Sequence, residues 1–152
     1  MTTLGFEEDT RISKQKIAEI QLVEAINLFL ANKYLCAITL AGAAEEVFAR
    51  LLNQQGEVSV VEKSFQSIQR IREKTDISVM DEKPKNEIFN EWNSARNRLK
   101  HHGKTDDEAV SINLFDEAYW MIKRGLANAE KLEIPINNQL DFENWIIVNI
   151  NM

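Results

Sequence analysis

The sequence predicts an all-α protein, an antiparallel bundle of about five helices with a short extended appendage at its C-terminus. The chain has 152 residues but only five glycines and two prolines, and so few turn residues indicate long helices with few connections. Apolar residues recur at spacings of three and four along most of the chain, which is the period of one helix face. A hydrophobic fraction of 44% with 28% charged residues is typical of one globular domain.

Three helices are predicted in the N-terminal half. The first covers about residues 11–33, and its apolar stripe is formed by Ile17, Ile20, Val23, Ile26 and Leu30. The second covers about residues 34–53, with a stripe formed by Leu40, Ala44, Val47, Phe48 and Leu51. Gly56 follows it as a helix stop. The third covers about residues 60–74 and places on one side Val61, Phe65, Ile68 and Ile71.

Two further helices follow a polar loop. Pro84 stands in the first turn of the fourth, about residues 84–103, where its missing N–H has no cost. Its predicted core face consists of Ile88, Phe89, Trp92, Ala95 and Leu99. The fifth helix covers about residues 106–132 and is expected to bury Val110, Phe115, Ala118, Ile122 and Leu126. Trp120 lies in the same stripe, and we expect it in the core rather than at a stacking surface.

The bundle is therefore expected over residues 11–132, after an N-terminal tail of residues 1–10 and before a C-terminal extension of residues 133–152. The extension contains the short, β-branched stretch "DFENWIIVNI". An edge strand, a packing arm and a dimer contact all remain open for it. Cys36 lies within the second helix and is expected to be a small buried hydrophobe rather than a reactive thiol.

Charge and hydropathy indicate which cellular compartment and which kinds of partner to expect. No basic segment followed by an apolar one opens the chain, and no apolar run approaches the roughly 20 residues that span a bilayer. We expect a cytoplasmic protein without a membrane partner. The net charge of −6 argues against a general nucleic-acid coat protein, and no DNA partner is expected.

The stretch "WNSARNRLKHHGK" differs from this acidic background. It holds both histidines of the chain, together with Arg96, Arg98, Lys100 and Lys104 and no acid, which suggests a local anion site. On a continuous helix Arg96, Asn97 and His101 can share one rim, whereas His102 points away. The simpler interpretation is helix capping, since cations favour the negative end of the helix dipole.

The second helix offers a partner for the arginine. Its segment "LAGAAEE" is a run of small residues that lets another helix approach closely. In projection Glu45 lies on the same edge as Gly42, so we predict that it contacts Arg96. Glu46 faces outward with Arg50 four residues later, which is typical of a solvated ion pair.

The motif "ARNRLKHH" and the helix "AITLAGAAEEVFARLL" resemble the HEPN superfamily, over roughly residues 11–132. The resemblance implies a metal-independent endoribonuclease of the toxin or defence type, a homodimer in which two motifs face each other. It implies catalytic roles for Arg96, which would bind the phosphate, for His101, which would move protons, and for Asn97. Surrounding residues expected to bind substrate are Arg98, Lys100, His102 and Glu45. No cofactor or metal is expected.

Two other functions remain open. The first is a non-catalytic HEPN module that binds a nucleotide or a partner protein, such as a small nucleotidyltransferase that acts as antitoxin. The acidic surface and the lack of a broad basic patch favour this alternative over a vigorous RNA binder. The second is a helical dimerisation scaffold in which the motif only caps its helix.

Overall fold

The computed structural model describes residues 4–75 and 83–150, and this part of the chain contains helices and no strand. The all-α prediction is confirmed. The described helices are α1 (Lys14–Leu30), α2 (Tyr34–Gln54), α3 (Val60–Lys74), α4 (Lys85–Trp92), α5 (Ser94–Lys100), α6 (Leu114–Lys131) and α7 (Gln139–Asn149). Most of the predicted polar loop between the third and fourth helices lies outside the described residues.

Polar side chains cap the first turns of α1, α3 and α6. Ser13 accepts a hydrogen bond from the N–H of Lys16 and so starts α1 at residue 14. Ser59 caps α3 in the same way. Asn113 accepts from the N–H of Asp116, and α6 begins at residue 114 rather than near 106. The earlier start was wrong because the periodic pattern takes no account of this cap; Val110, predicted in the core, lies in the preceding loop and is 48% exposed.

The core lies between α1, α2 and α6. Phe29 of α1 is fully buried there. Its ring contacts four other aromatic rings, those of Tyr34, Phe115, Phe142 and Trp145. Such edge-to-face and tilted contacts suit the quadrupoles of aromatic rings and add to the free energy of burial.

The C-terminal segment is a helix and not an extended appendage. Residues 139–149 form α7, and Phe142 and Ile146 on its inner face are buried in the core. Asn138 fixes its entry, because its Nδ2 donates to the backbone O of Val23 and to Oδ1 of Asn27. The extended prediction was wrong since β-branched residues are only a weak signal when a buried apolar face can form a helix instead.

The predicted fourth helix is interrupted. Asn93 separates α4 from α5, and the guanidinium of Arg124 lies at the break. Its Nη1 donates to the backbone O of Trp92 at 3.1 Å, and its Nη2 donates to Oδ1 of Asn93 at 2.8 Å. A side chain from α6 therefore binds the polar groups at the junction, which no local pattern in the sequence could indicate.

Besides Val110, four residues predicted to be buried lie at the surface. Ile20 on α1 is 51% exposed, Ile71 on α3 is 47% exposed and Trp120 on α6 is 61% exposed. Cys36 near the start of α2 is also exposed. All four belong to apolar stripes that are wider than the face that the neighbouring helices cover. Among the described helices, none is long and apolar enough to cross a membrane.

Candidate functional site

Arg96 is buried and paired. Arg96 is 8% exposed and Glu45 is 3% exposed. Nη1 of Arg96 lies 3.1 Å from Oε2 of Glu45. The predicted contact between these two residues is confirmed. Because a charge without a partner is costly in the protein interior, this pairing explains how an arginine can occupy the inner face of α5.

The carboxylate of Glu45 also contacts donors from α6. Nη2 of Arg124 lies 3.2 Å from its Oε1, and Nδ2 of Asn128 donates to the same oxygen at 3.4 Å. Oδ1 of Asn128 in turn accepts from the N–H of Val60 at the start of α3. These side chains, called the buried network below, are Glu45, Arg96, Arg124 and Asn128. The network connects α2, α5, α6 and the start of α3.

Two members of this network, Arg124 and Asn128, were not predicted from the sequence. Arg124 and Asn128 are polar positions in the apolar stripe of α6, and both are four residues from another polar or charged residue of that helix. A polar residue within an apolar stripe indicates a buried polar contact only when its partner is known. The partner is on α2, 79 or more positions earlier, as the Asn128–Glu45 bond across 83 positions illustrates.

The absence of a side chain at Gly42 leaves room for the side chain of Arg96 against α2. A Cβ at position 42 would lie 2.6 Å from Cδ and 2.7 Å from Cγ of Arg96, well inside van der Waals contact. The small residues of "LAGAAEE" do let another helix approach closely, as predicted, and the approaching group is the arginine stem of α5.

The buried network carries two guanidinium groups and one carboxylate. Burial lowers the pKa of Arg124, and the charge of Arg96 lowers it further, although the charge of Glu45 and its hydrogen bond oppose both effects. The pKa of Arg124 is therefore below its usual value because desolvation penalises its charged form. The network holds an excess of positive charge under the surface of the protein.

The histidines lie beyond the helix. α5 ends at Lys100, and His101 has an extended backbone with φ of −127° and ψ of 141°. Both His101 and His102 are exposed. The projection that placed His101 on one rim with Arg96 was wrong because it assumed a helix that continued to residue 103. Neither imidazole has a side-chain hydrogen bond within residues 4–75 and 83–150. Asn97 lies between the two groups: its Oδ1 is 3.5 Å from Nε of Arg96, and its backbone O accepts from the N–H of His101.

A cavity of about 640 Å³ lies at the end of α5 and is called the α5-end cavity. Its basic side consists of Arg98, Lys100, His101 and His102. The loop that follows supplies its acidic side, which consists of Asp106, Asp107 and Glu108. Arg96 and Glu45 do not line it. Four of the predicted site residues are thus brought together, and they are separate from the buried pair.

Surface charges next to this cavity are only loosely engaged. Nζ of Lys100 lies 3.6 Å from Oε2 of Glu46, and Nη2 of Arg98 is 3.5 Å from the backbone O of Ser111. Nη2 of Arg50 lies 3.2 Å from Oε1 of Glu46, which confirms the predicted surface pair. Partial burial would raise the pKa of Glu46, but the hydrogen bond from Arg50 and the nearby cations outweigh it and hold this pKa below its usual value. Lys100 and Arg98 could exchange such weak contacts for a ligand at little cost.

Within the described part of the chain, no group of three or more His, Cys, Asp or Glu side chains is arranged to hold a metal ion. No family model, curated protein or solved structure matches this chain. The candidate site therefore rests on its own geometry.

Proposed function

We propose that the chain is a HEPN-like helical-bundle protein that binds a nucleotide in the α5-end cavity without cleaving it. One observation carries this proposal: Arg98, Lys100, His101 and His102 line one open cavity, whereas Arg96 is buried against Glu45 outside it. Cleavage by the motif requires Arg96 and His101 to grip one phosphodiester, and binding requires only the exposed groups.

The two sides of the cavity suit the two ends of a nucleotide. Arg98 and Lys100 can donate to phosphate oxygens, for which guanidinium and ammonium groups are well suited. The carboxylates of Asp106, Asp107 and Glu108 can accept from the amino groups of a base, as acidic side chains do with the amino group of cytosine. The volume of about 640 Å³ lies within the range of roughly 300–1,000 Å³ that small-molecule sites occupy. Three carboxylates also disfavour polyphosphates, so a nucleoside monophosphate is the preferred ligand.

The five-helix plan of a HEPN-like bundle fits this chain if α4 and α5 are taken together as one broken fourth helix. In that arrangement α1, α2, α3, the α4–α5 pair and α6 form the antiparallel bundle, and α7 is an addition that covers the aromatic core. This assignment supports the family proposal through helix order and through the position of the motif late in the fourth helix.

The direct test is a calorimetric titration of the protein with CMP. Saturable binding is expected, and Arg98→Ala/Lys100→Ala should weaken it at least ~10-fold, since each lost charge-assisted contact is worth more than about 1 kcal/mol. The matched control is Arg11→Ala/Lys14→Ala, which removes the same charge from exposed positions outside the cavity. UMP, which lacks the exocyclic amino group, should bind more weakly than CMP. An absence of saturation at millimolar CMP, or equal affinities of both double variants, would contradict the proposal.

A second candidate is the HEPN-type ribonuclease acting as a homodimer, favoured by the contacts that link Arg96 to Asn97 and Asn97 to His101. In this function His101 would move the proton of the 2′-hydroxyl or of the leaving oxygen, and the product would be a 2′,3′-cyclic phosphate. Arg96 would have to leave Glu45 to bind the phosphate. RNA cleavage in EDTA that is lost in both His101→Ala and Arg96→Ala, in a protein that sediments as a dimer, would establish this candidate in place of the first. An antitoxin protein would then be the expected partner.

A further inference from the structure

A second cleft of about 570 Å³ lies between α3, α4 and α6 and shares no lining residue with the α5-end cavity. We call it the α3/α6 cleft. Its walls are mainly apolar, and the side chains that form them are Val60, Val61, Trp92, Trp120 and Ala127. Trp120 is 61% exposed, so much of its side chain is open to the solvent. Large exposed aromatic side chains beside a concave apolar surface are typical of ligand sites.

Arg124 lies at this cleft and has an unused donor. Its Nη1 donates to the backbone O of Trp92, and its Nη2 contacts Oδ1 of Asn93 and Oε1 of Glu45. Its Nε is buried and has no hydrogen-bond partner. A buried N–H without an acceptor is costly, because it has lost its hydrogen bond to water and gained none in the protein. Arg124 lines the cleft, but Nε itself has almost no surface open to the solvent. An acceptor bound in the cleft would relieve this cost after a small shift of the Arg124 side chain.

The charge beneath the cleft also favours an anion. Arg124 and Arg96 share the single carboxylate of Glu45, so the buried network has one guanidinium charge that no buried acid matches. Lys123 adds a further cation to the lining. In surroundings of low dielectric constant, an anion placed against this excess charge is stabilised more strongly than at the protein surface.

The same lining limits the ligand to a single negative charge. Glu91 and Glu117 also line the cleft. Oε1 of Glu91 lies 2.7 Å from Nζ of Lys83 and is thereby partly neutralised, but Glu117 adds a nearby carboxylate. A phosphate or polyphosphate would be repelled by these acids, whereas a monoanion could pair with Arg124 and leave its apolar body on the indoles.

We propose that the α3/α6 cleft binds a small aromatic monocarboxylate, with its ring against Trp92 and Trp120 and its carboxylate accepting from Nε–H of Arg124. Such a ligand would supply an acceptor for the buried N–H of Arg124. Its ring would also remove part of the exposed Trp120 side chain from water. This site is separate from the α5-end cavity and does not depend on nucleotide binding there.

The test uses naphthalene-2-carboxylate as the probe and naphthalene-2-carboxamide as its uncharged counterpart, titrated into the full chain and followed by calorimetry. The acid should bind saturably and at least ~10-fold more tightly than the amide, a difference of about 1.4 kcal/mol. Trp120→Ala should weaken binding of the acid by a similar factor. Leu140→Ala, which removes a comparably exposed side chain of α7, should not change it.

A second readout reports on the arginine without a variant of the buried network. In a ¹⁵N-resolved NMR spectrum, the Nε–H signal of Arg124 should shift downfield as the acid saturates the protein, and the amide should move it less. Equal affinities for acid and amide, unchanged affinity in a folded Trp120→Ala, or an Nε–H signal that does not move at saturation would each overturn the proposal. An absence of saturable binding at millimolar concentrations of the probe would overturn it as well.

Discussion

The side chain of Arg96 occupies the space that a side chain at position 42 would need. A Cβ at Gly42 would lie 2.6 Å from Cδ of Arg96, and the guanidinium at the end of that stem is held by Glu45, three residues further along α2. The glycine and the ion pair are therefore parts of one contact between α2 and α5.

Gly42→Ala should destabilise the protein by about 1–2 kcal/mol. Alanine is intrinsically the better helix residue by up to ~1 kcal/mol, but overpacking against the arginine stem costs about 1–3 kcal/mol. In an Arg96→Ala background the clash is absent, because only Cβ of residue 96 remains, at 3.6 Å. There the same substitution should be neutral or stabilising. Urea denaturation of the four proteins checks this reversal of sign, and a cost that is equal in both backgrounds would contradict it.

Glu45→Gln should be more harmful than Arg96→Met. The first leaves two buried guanidinium groups without a carboxylate, and breaking a buried pair in this way costs about 3–5 kcal/mol. The second leaves Glu45 paired with Arg124 and keeps an apolar stem in place, so about 1–2 kcal/mol is expected. Glu46→Gln is the matched control on the outer face and should cost less than about 1 kcal/mol. Denaturant midpoints in the reverse order would show that Glu45 is not the centre of the network.

The contact between Glu45 and Arg96 was predicted from the sequence, but the other residues of the buried network were not. Helical projection placed Glu45 and Gly42 on one edge of α2 and indicated Arg96 as the partner, since helix periodicity is a local property. Arg124 and Asn128 were missed because their role depends on a helix that lies far away in the chain. The break at Asn93 was missed for the same reason, and with it the true position of His101. Of the α5-end cavity, the basic residues Arg98, Lys100, His101 and His102 were named from the sequence as candidate site residues. The acidic side, formed by Asp106, Asp107 and Glu108, was not, because it depends on the path of the loop that follows α5.

The C-terminal segment was the largest error in the fold, and it gives a prediction of its own. Phe142 is fully buried against Phe29, so Phe142→Ala should cost about 3–5 kcal/mol by leaving a cavity in the core. Val148→Ala, on the same helix but 74% exposed, should change the free energy of unfolding by less than about 0.5 kcal/mol. Similar midpoints for the two variants would mean that α7 is not part of the cooperative core.

The contribution of Glu46 to stability should depend on pH. Its folded-state pKa lies below the usual value of 4.5, despite partial burial, because of Arg50 and the nearby cations Arg96 and Lys100. A carboxyl group with a lowered pKa stabilises the folded state above its unfolded pKa and loses that contribution as the pH falls through its folded pKa. The difference in unfolding free energy between the wild type and Glu46→Gln should therefore be constant above about pH 5.5 and shrink below 4.5. A difference that grows on acidification would contradict the assigned direction.

The central claim is that Arg96 holds the fold and that Arg98 and Lys100 hold the ligand. The most direct measurement compares Arg96→Met with Arg98→Ala/Lys100→Ala in two assays, urea denaturation and calorimetric titration with CMP. The account predicts opposite outcomes: Arg96→Met loses stability and keeps its affinity for CMP, whereas the double variant keeps its stability and loses at least ~10-fold in affinity. A folded Arg96→Met that no longer binds CMP, together with a double variant that binds normally, would contradict the claim. That result would mean that Arg96, and not Arg98 and Lys100, binds the ligand.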